Sequence, residues 1–142
     1  MPDGMTFDFS KLTQHSASLA AAPRLAGPFL RSAVMVTSGR VKKEAAQTVG
    51  RSAMWSAAAA SIGYDLVAEP GEALSTLTSH IGYDKSRAAG ALGNLREYGA
   101  PDSPGGSLAP HNDLLRAMEN NVEDFERGVR RALDDAEKAA GL

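Results

Sequence analysis

The residues of this 142-residue chain that could carry chemistry are few and scattered. A general acid or base needs a titratable side chain that faces a second polar group. Glu97, in the run Leu95-Arg96-Glu97-Tyr98-Gly99, is the strongest candidate carboxylate, but sequence spacing gives it no partner. The histidines His15, His80 and His111 fall on three different segments, and no two stand one helical turn apart as a helical metal site requires. Cysteine is absent, which removes thiolate nucleophiles, disulfides and zinc sites of the Cys type. The Gly105-Gly106 pair lacks the lysine and the strand context of a phosphate-binding loop, and the chain contains no nucleophile elbow, P-loop or dinucleotide fingerprint. These patterns predict a protein that is not an enzyme and takes no metal or cofactor. Glu97 is then expected to make a structural hydrogen bond or a subunit contact, with Tyr98 beside it at the edge of the core.

Charge is the next signal. The net charge of −2 hides an uneven distribution. From Arg24 to Arg51, six bases stand against one acid, Glu44, giving +5; from Ser107 to Leu142, five bases stand against eight acids, giving −3. Such asymmetry steers partners and lets one copy of a chain attract another head to tail. The interface candidates are therefore Arg31, Arg40, Lys42, Lys43 and Arg51 on one side, and Glu119, Glu123, Glu126 and Asp134 on the other, with Glu97 and Tyr98 between them. The basic run also has the charge for sequence-blind contact with DNA phosphates, although no interleaved aromatics accompany it for stacking on bases.

These residues need elements to hold them. Ser10 is a cap for a helix that carries Leu12 and Leu19 and closes at Pro23. Pro28 suits the first turn of a second helix, which continues through Leu30, Val34, Val41, Ala45 and Val49 with a kink or break expected near Gly39. The runs "SIGYDLVAE" and "ALSTLTSHIGYD" flank a Pro-Gly turn and read as a hairpin. "ALGNLREYG" reads as a third strand or a single helical turn, and Asp84–Ala91 as a mobile loop. Leu115, Met118, Val122, Phe125, Val129, Ala132 and Ala136 step by alternating threes and fours, which predicts one helix from about Pro110 to Lys138 that packs Val122, Phe125 and Val129 on the sheet. The expected architecture is a single α+β domain over residues 1–142: one or two N-terminal helices, an antiparallel sheet of about three strands, and a long C-terminal helix on the sheet. The N-terminus lacks the pattern of a secretory signal and the longest small-apolar run, "SAAAASI", is too short to span a bilayer, so a soluble chain without membrane partners is expected.

The order "IGYDKSRAAGALGNLREYG", "APDSPGGSLAP" and a long acidic terminal helix resembles the HK-97-like tail-component family of long-tailed bacteriophages. The resemblance falls on Leu92, Leu95, Glu97, Tyr98, Gly99, Pro101, Pro104, Leu108, Pro110 and the seam from Leu115. It implies a neck or tail-completion protein: a ring, sixfold to match the tail, between the connector and the tail tube, which continues the channel for packaged DNA. The implied partners are other copies of the chain, the flanking connector and tail proteins, and DNA without sequence specificity. The implied location is the virion, with assembly in the host cytoplasm. The alternatives within reach of the sequence are a terminator ring that caps the tail tube and a small DNA-binding accessory protein using the basic second helix. Under the resemblance "EYGAPDSPGG" is architecture: Gly99 allows a sharp turn, Pro101 and Pro104 restrict the loop, and Pro110 opens the terminal helix.

Overall fold

Leu30, Val34, Val41, Ala45 and Val49 recur at intervals of four and seven residues, which places them along one stripe of a helix. In the computed structural model, which describes residues 5–8, 22–69, 76–103 and 106–141, they line helix α1 (Ala22–Gly50), and all five are buried. Most of the expected first helix lies outside the described residues. Pro23, expected to close it, instead stands in the opening turn of α1, where its missing N–H has no helical partner to lose. Pro28 lies inside α1 rather than at its start, and there it forfeits a backbone hydrogen bond. No break occurs at Gly39. The turn around it is pinned: Ser38 and Ser79 hydroxyls meet at 2.5 Å in the core, and Thr37 and Val41 are buried on either side.

The short helix α2 (Ser56–Ala59) leads into the expected hairpin of β2 (Ile62–Glu69) and β3 (Thr76–Tyr83). Their antiparallel register sets Ile62 opposite Tyr83, Tyr64 opposite Ile81 and Leu66 opposite Ser79, so one face of the ladder turns toward α1. The third strand is β1 (Met5–Asp8), which pairs antiparallel with the other edge of β3 to give the order β1-β3-β2. The segment expected as a third strand or single turn is an eleven-residue helix, α3 (Ala88–Tyr98). Gly93 decides its packing: a Cβ there would lie 2.1 Å from Cδ1 of Tyr83, so only glycine lets this helix close on the end of β3. A separate two-stranded ribbon, β4 (Ala100–Ser103) with β5 (Gly106–Leu108), comes next in the chain.

The C-terminal seam runs through two helices, α4 (Asp113–Asn120) and α5 (Val122–Ala139), instead of one from Pro110. The Asn121 side chain causes the interruption by donating from Nδ2 to the Ala117 carbonyl and to Glu44 Oε2 of α1, both at 2.7 Å; Asn120 Nδ2 donates to the other Glu44 oxygen at 2.7 Å. A side chain that bonds nearby backbone competes with helix continuation. The break also changes the buried stripe. Leu114 and Ala117 face inward on α4 and Val129, Ala132 and Ala136 on α5, while Leu115 and Val122 are each 47% exposed and Met118 and Phe125 partly buried. Val122 therefore does not pack on the sheet, because the interruption at Asn121 turns it outward.

Helix α1 holds the α+β architecture together by contributing to both apolar clusters. Val41, Ala45 and Val49 pack with Ile62, Ile81, Tyr83, Leu114 and Ala117, whereas Ala26, Leu30 and Val34 pack with Leu77, Val129, Ala132 and Ala136. The long C-terminal helix lies along α1 and reaches the sheet at Leu77 and the partly buried Leu66. No helix among the described residues is long and apolar enough to cross a membrane.

The adjacent leucines test the displaced stripe. Leu114→Ala is expected to cost about 2–5 kcal/mol, as for a buried leucine, and Leu115→Ala within about 0.5 kcal/mol, both read from urea unfolding. Equal costs would return the buried stripe to the seam read from the sequence.

Candidate functional site

Helix α3 ends in Arg96-Glu97-Tyr98, and the chain returns to it sixteen residues later as Asn112-Asp113-Leu114. Asn112 has a side chain suited to capping α4, but its backbone is left-handed (φ 55°, ψ 40°) and it makes no cap. The Glu97 carboxylate does so from another helix. Its oxygens accept the N–H of Leu114 at 3.0 and 3.1 Å and that of Leu115 at 3.2 Å, so donors left over from the first turn of α4 are satisfied across the fold. The positive end of the helix dipole favours the negative charge at this place. Next to it, Arg96 Nε donates to Asp113 Oδ2 at 2.7 Å, with both side chains almost wholly buried.

Backbone groups complete the joint. The Arg96 carbonyl accepts the His111 N–H at 2.9 Å and the Glu97 carbonyl that of Asn112 at 3.4 Å, which gives the end of α3 partners in the segment entering α4. Gly99 has φ 73°, and a Cβ on it would lie 2.4 Å from the Leu108 carbonyl oxygen and 2.9 Å from the Pro110 nitrogen. Here glycine is needed twice, for the backbone conformation and for the approach of β5. Tyr83 lies under this joint, wholly buried, and its hydroxyl finds no hydrogen-bond partner among the described residues. Burial first, then the negative charges of Glu97 and Asp113, holds this phenol neutral well above its ordinary range.

Glu97 is thus not an interface residue: at 2% exposure it is spent on the backbone of α4. Tyr98, next to it, is about half exposed. Pro101 stands in β4, Pro104 lies outside the described residues, and Pro110 is an exposed linker residue three positions before α4 rather than its first turn, because the left-handed Asn112 intervenes. Nor is Asp84–Ala91 a free loop. Asp84 Oδ1 accepts the N–H of Ser86 at 2.9 Å and its hydroxyl at 2.6 Å, Arg87 donates to the Ala60 carbonyl at 3.0 Å, and α3 starts at Ala88. The Ser86 hydrogen bonds hold the Asp84 carboxyl below its usual range.

The charged candidates divide. Arg40 is already engaged within the chain, 3.5 Å from Asp124, at one end of an open groove of about 400 Å³ between α1 and α5 that Arg127 and Arg131 also line. Arg31, Lys42, Lys43 and Arg51 are exposed, as are Glu119, Glu123, Glu126 and Asp134, and none of these eight forms an ion pair with a described residue. His80 lies in mid-strand on β3 opposite Asp65, with a buried Nδ1 that lacks a hydrogen-bond partner among the described residues, and His111 is exposed. The described residues bring no three His, Asp or Glu side chains together as a metal site.

Arg96, Asp113, Asn121 and Glu44 were not legible as a set. Asn112-Asp113 ahead of two leucines signals a helix start, but nothing in the sequence couples it to a carboxylate sixteen positions earlier.

Two variants test the joint. Glu97→Gln keeps the shape but loses the charge and one acceptor, with an expected cost of about 1.5–3 kcal/mol in urea unfolding. A stability within error of the parent would remove Glu97 from its place as the cap. Tyr83→Phe deletes a hydroxyl without a partner among the described residues and should raise stability by about 1 kcal/mol. The pH dependence comes from the raised phenol value: unfolded tyrosine ionises near 10.0 whereas the folded side chain stays neutral, so stability is full below that pH and falls above it. Unfolding measured between neutral and strongly alkaline pH should show a smaller alkaline loss in Tyr83→Phe than in the parent; parallel profiles would contradict it.

No protein-family model, curated protein or solved structure matches the chain.

Proposed function

We propose that the chain is a structural subunit of the head-to-tail connection of a long-tailed bacteriophage, acting as one member of a ring that joins connector to tail tube and continues the DNA channel. The observation that carries this reading is the use made of the segment bearing the resemblance. Glu97 and Gly99, together with the returning chain at Leu108 and Pro110, join α3, the β4-β5 ribbon and the start of α4. Their polar groups are occupied by backbone partners, as architecture requires and as a general acid or base facing substrate does not.

A closed ring needs two different, complementary patches on each subunit. Exposed cations on α1 and exposed acids on α4 and α5 supply such a pair. The tail-terminator reading is the same mechanical role at the neighbouring level of the particle, with different flanking proteins. The DNA-binding reading draws less support, because Asp124 offsets Arg40 and acidic Asp135 lines the same groove as Arg127 and Arg131.

Native mass spectrometry of the purified chain at low salt is expected to show a closed oligomer, sixfold on this reading, and passage over immobilised DNA is expected to show weak, easily eluted retention. A monomer retained on DNA with a steep salt dependence would favour the accessory DNA-binding reading instead.

A further inference from the structure

We infer that the subunit contact is made between the outer stripe of α1 on one copy and the outer stripe of α5 on the next, in a single antiparallel register. This rests on the proposed ring. On α1, Arg31, Met35, Lys42 and Ala46 are separated by four, seven and four residues, which keeps them on one stripe of the helix. On α5, counting backwards, Glu137, Leu133, Glu126 and Val122 show the same four, seven and four. Laid antiparallel, Arg31 meets Glu137, Met35 meets Leu133, Lys42 meets Glu126 and Ala46 meets Val122.

Exposure agrees with that register. Arg31, Lys42, Glu126 and Glu137 are exposed and form no ion pair with any described residue. Met35 and Val122 are large apolar side chains at 42% and 47% exposure, and Ala46 and Leu133 are half-buried, each resting on one of the chain's own apolar clusters and leaving its other side to the neighbour. Arg130, the cation within the acidic stripe, comes level with Ser38-Gly39, which presents no charge to it: the Ser38 side chain is buried against Ser79 and Gly39 has none. The two stripes lie on different helices and turn away from the contact that α1 and α5 make with each other through Ala33, Arg40, Asp124 and Gly128. Each copy therefore offers both halves, the requirement for a head-to-tail ring. The occupant is a second copy of this chain because the two stripes match each other in spacing and in charge: cation, apolar, cation, apolar against acid, apolar, acid, apolar.

Charge reversal tests it. Arg31→Glu with Lys42→Glu makes one chain acidic on both stripes; Glu126→Lys with Glu137→Lys makes another basic on both. Each alone should lose self-association by about 100-fold, since like charges then face each other. Their equimolar mixture should recover parental assembly, because every contact then joins an acidic stripe to a basic one. Native mass spectrometry and sedimentation at low salt read the outcome, with thermal unfolding confirming that each variant folds; recovery on mixing also excludes misfolding. Variants that assemble like the parent, or a mixture that stays unassembled while the parent forms rings, overturn this interface and leave the ring reading intact. A parent chain that remains monomeric at high concentration overturns both.

Discussion

A carboxylate buried at the start of a helix in another part of the chain sets the geometry of the C-terminal half. Glu97 occupies the place that Asn112 would ordinarily take, and it can do so because α3 delivers it, already fixed, to the free N–H groups of Leu114 and Leu115. A buried carboxylate without such donors would be expensive. With them, and with Arg96 neutralising Asp113 alongside, the direction of α4 is coupled to that of α3. The coupling is mutual, since removing either charge of the buried pair strands the other. The break at Asn121 and the run of α5 along α1 both start from that fixed origin.

Helix α1 is the second constraint. It is flanked by the sheet on one side and by α4 and α5 on the other, and its valines enter both apolar clusters. Polar contacts on both sides fix its rotation: Ser38 meets Ser79 in the sheet, and Glu44 accepts both Asn120 and Asn121. A helix so held keeps one side that the described residues leave exposed, and Arg31 and Lys42, which form no ion pair with a described residue, lie there. Rigid presentation lowers the entropic cost of association, which suits the proposed role as a ring subunit.

The Pro-Gly turn between two β-branched runs made the β2-β3 hairpin legible, and with it the α+β class, while periodicity made the buried stripe of α1 legible, because a repeated spacing survives any tertiary arrangement. It failed where one side chain overrides a repeat. The alternating seam from Leu115 is regular in the sequence, yet Asn121 interrupts the helix by bonding Ala117 and Glu44, and the neighbouring Leu114 becomes the buried residue. Glycines in "RAAGALGNL" argue against a helix on propensity, while the close approach of Gly93 to the Tyr83 ring makes α3 possible. The role of Glu97 as structural was readable from its lack of a partner in sequence; its burial was not, because the residues that satisfy it belong to a helix with which it shares no local pattern.

The mechanical reading concerns a place in a particle, and position there is its most direct measure. Cryo-electron microscopy of purified virions, with this chain traced by its two broken terminal helices and the ribbon of β4 and β5, is predicted to locate a closed ring of six copies between the connector and the tail tube, with α1 of each copy against α5 of the next. Virions that lack the chain, or that carry it as single copies away from the channel axis, would contradict the account.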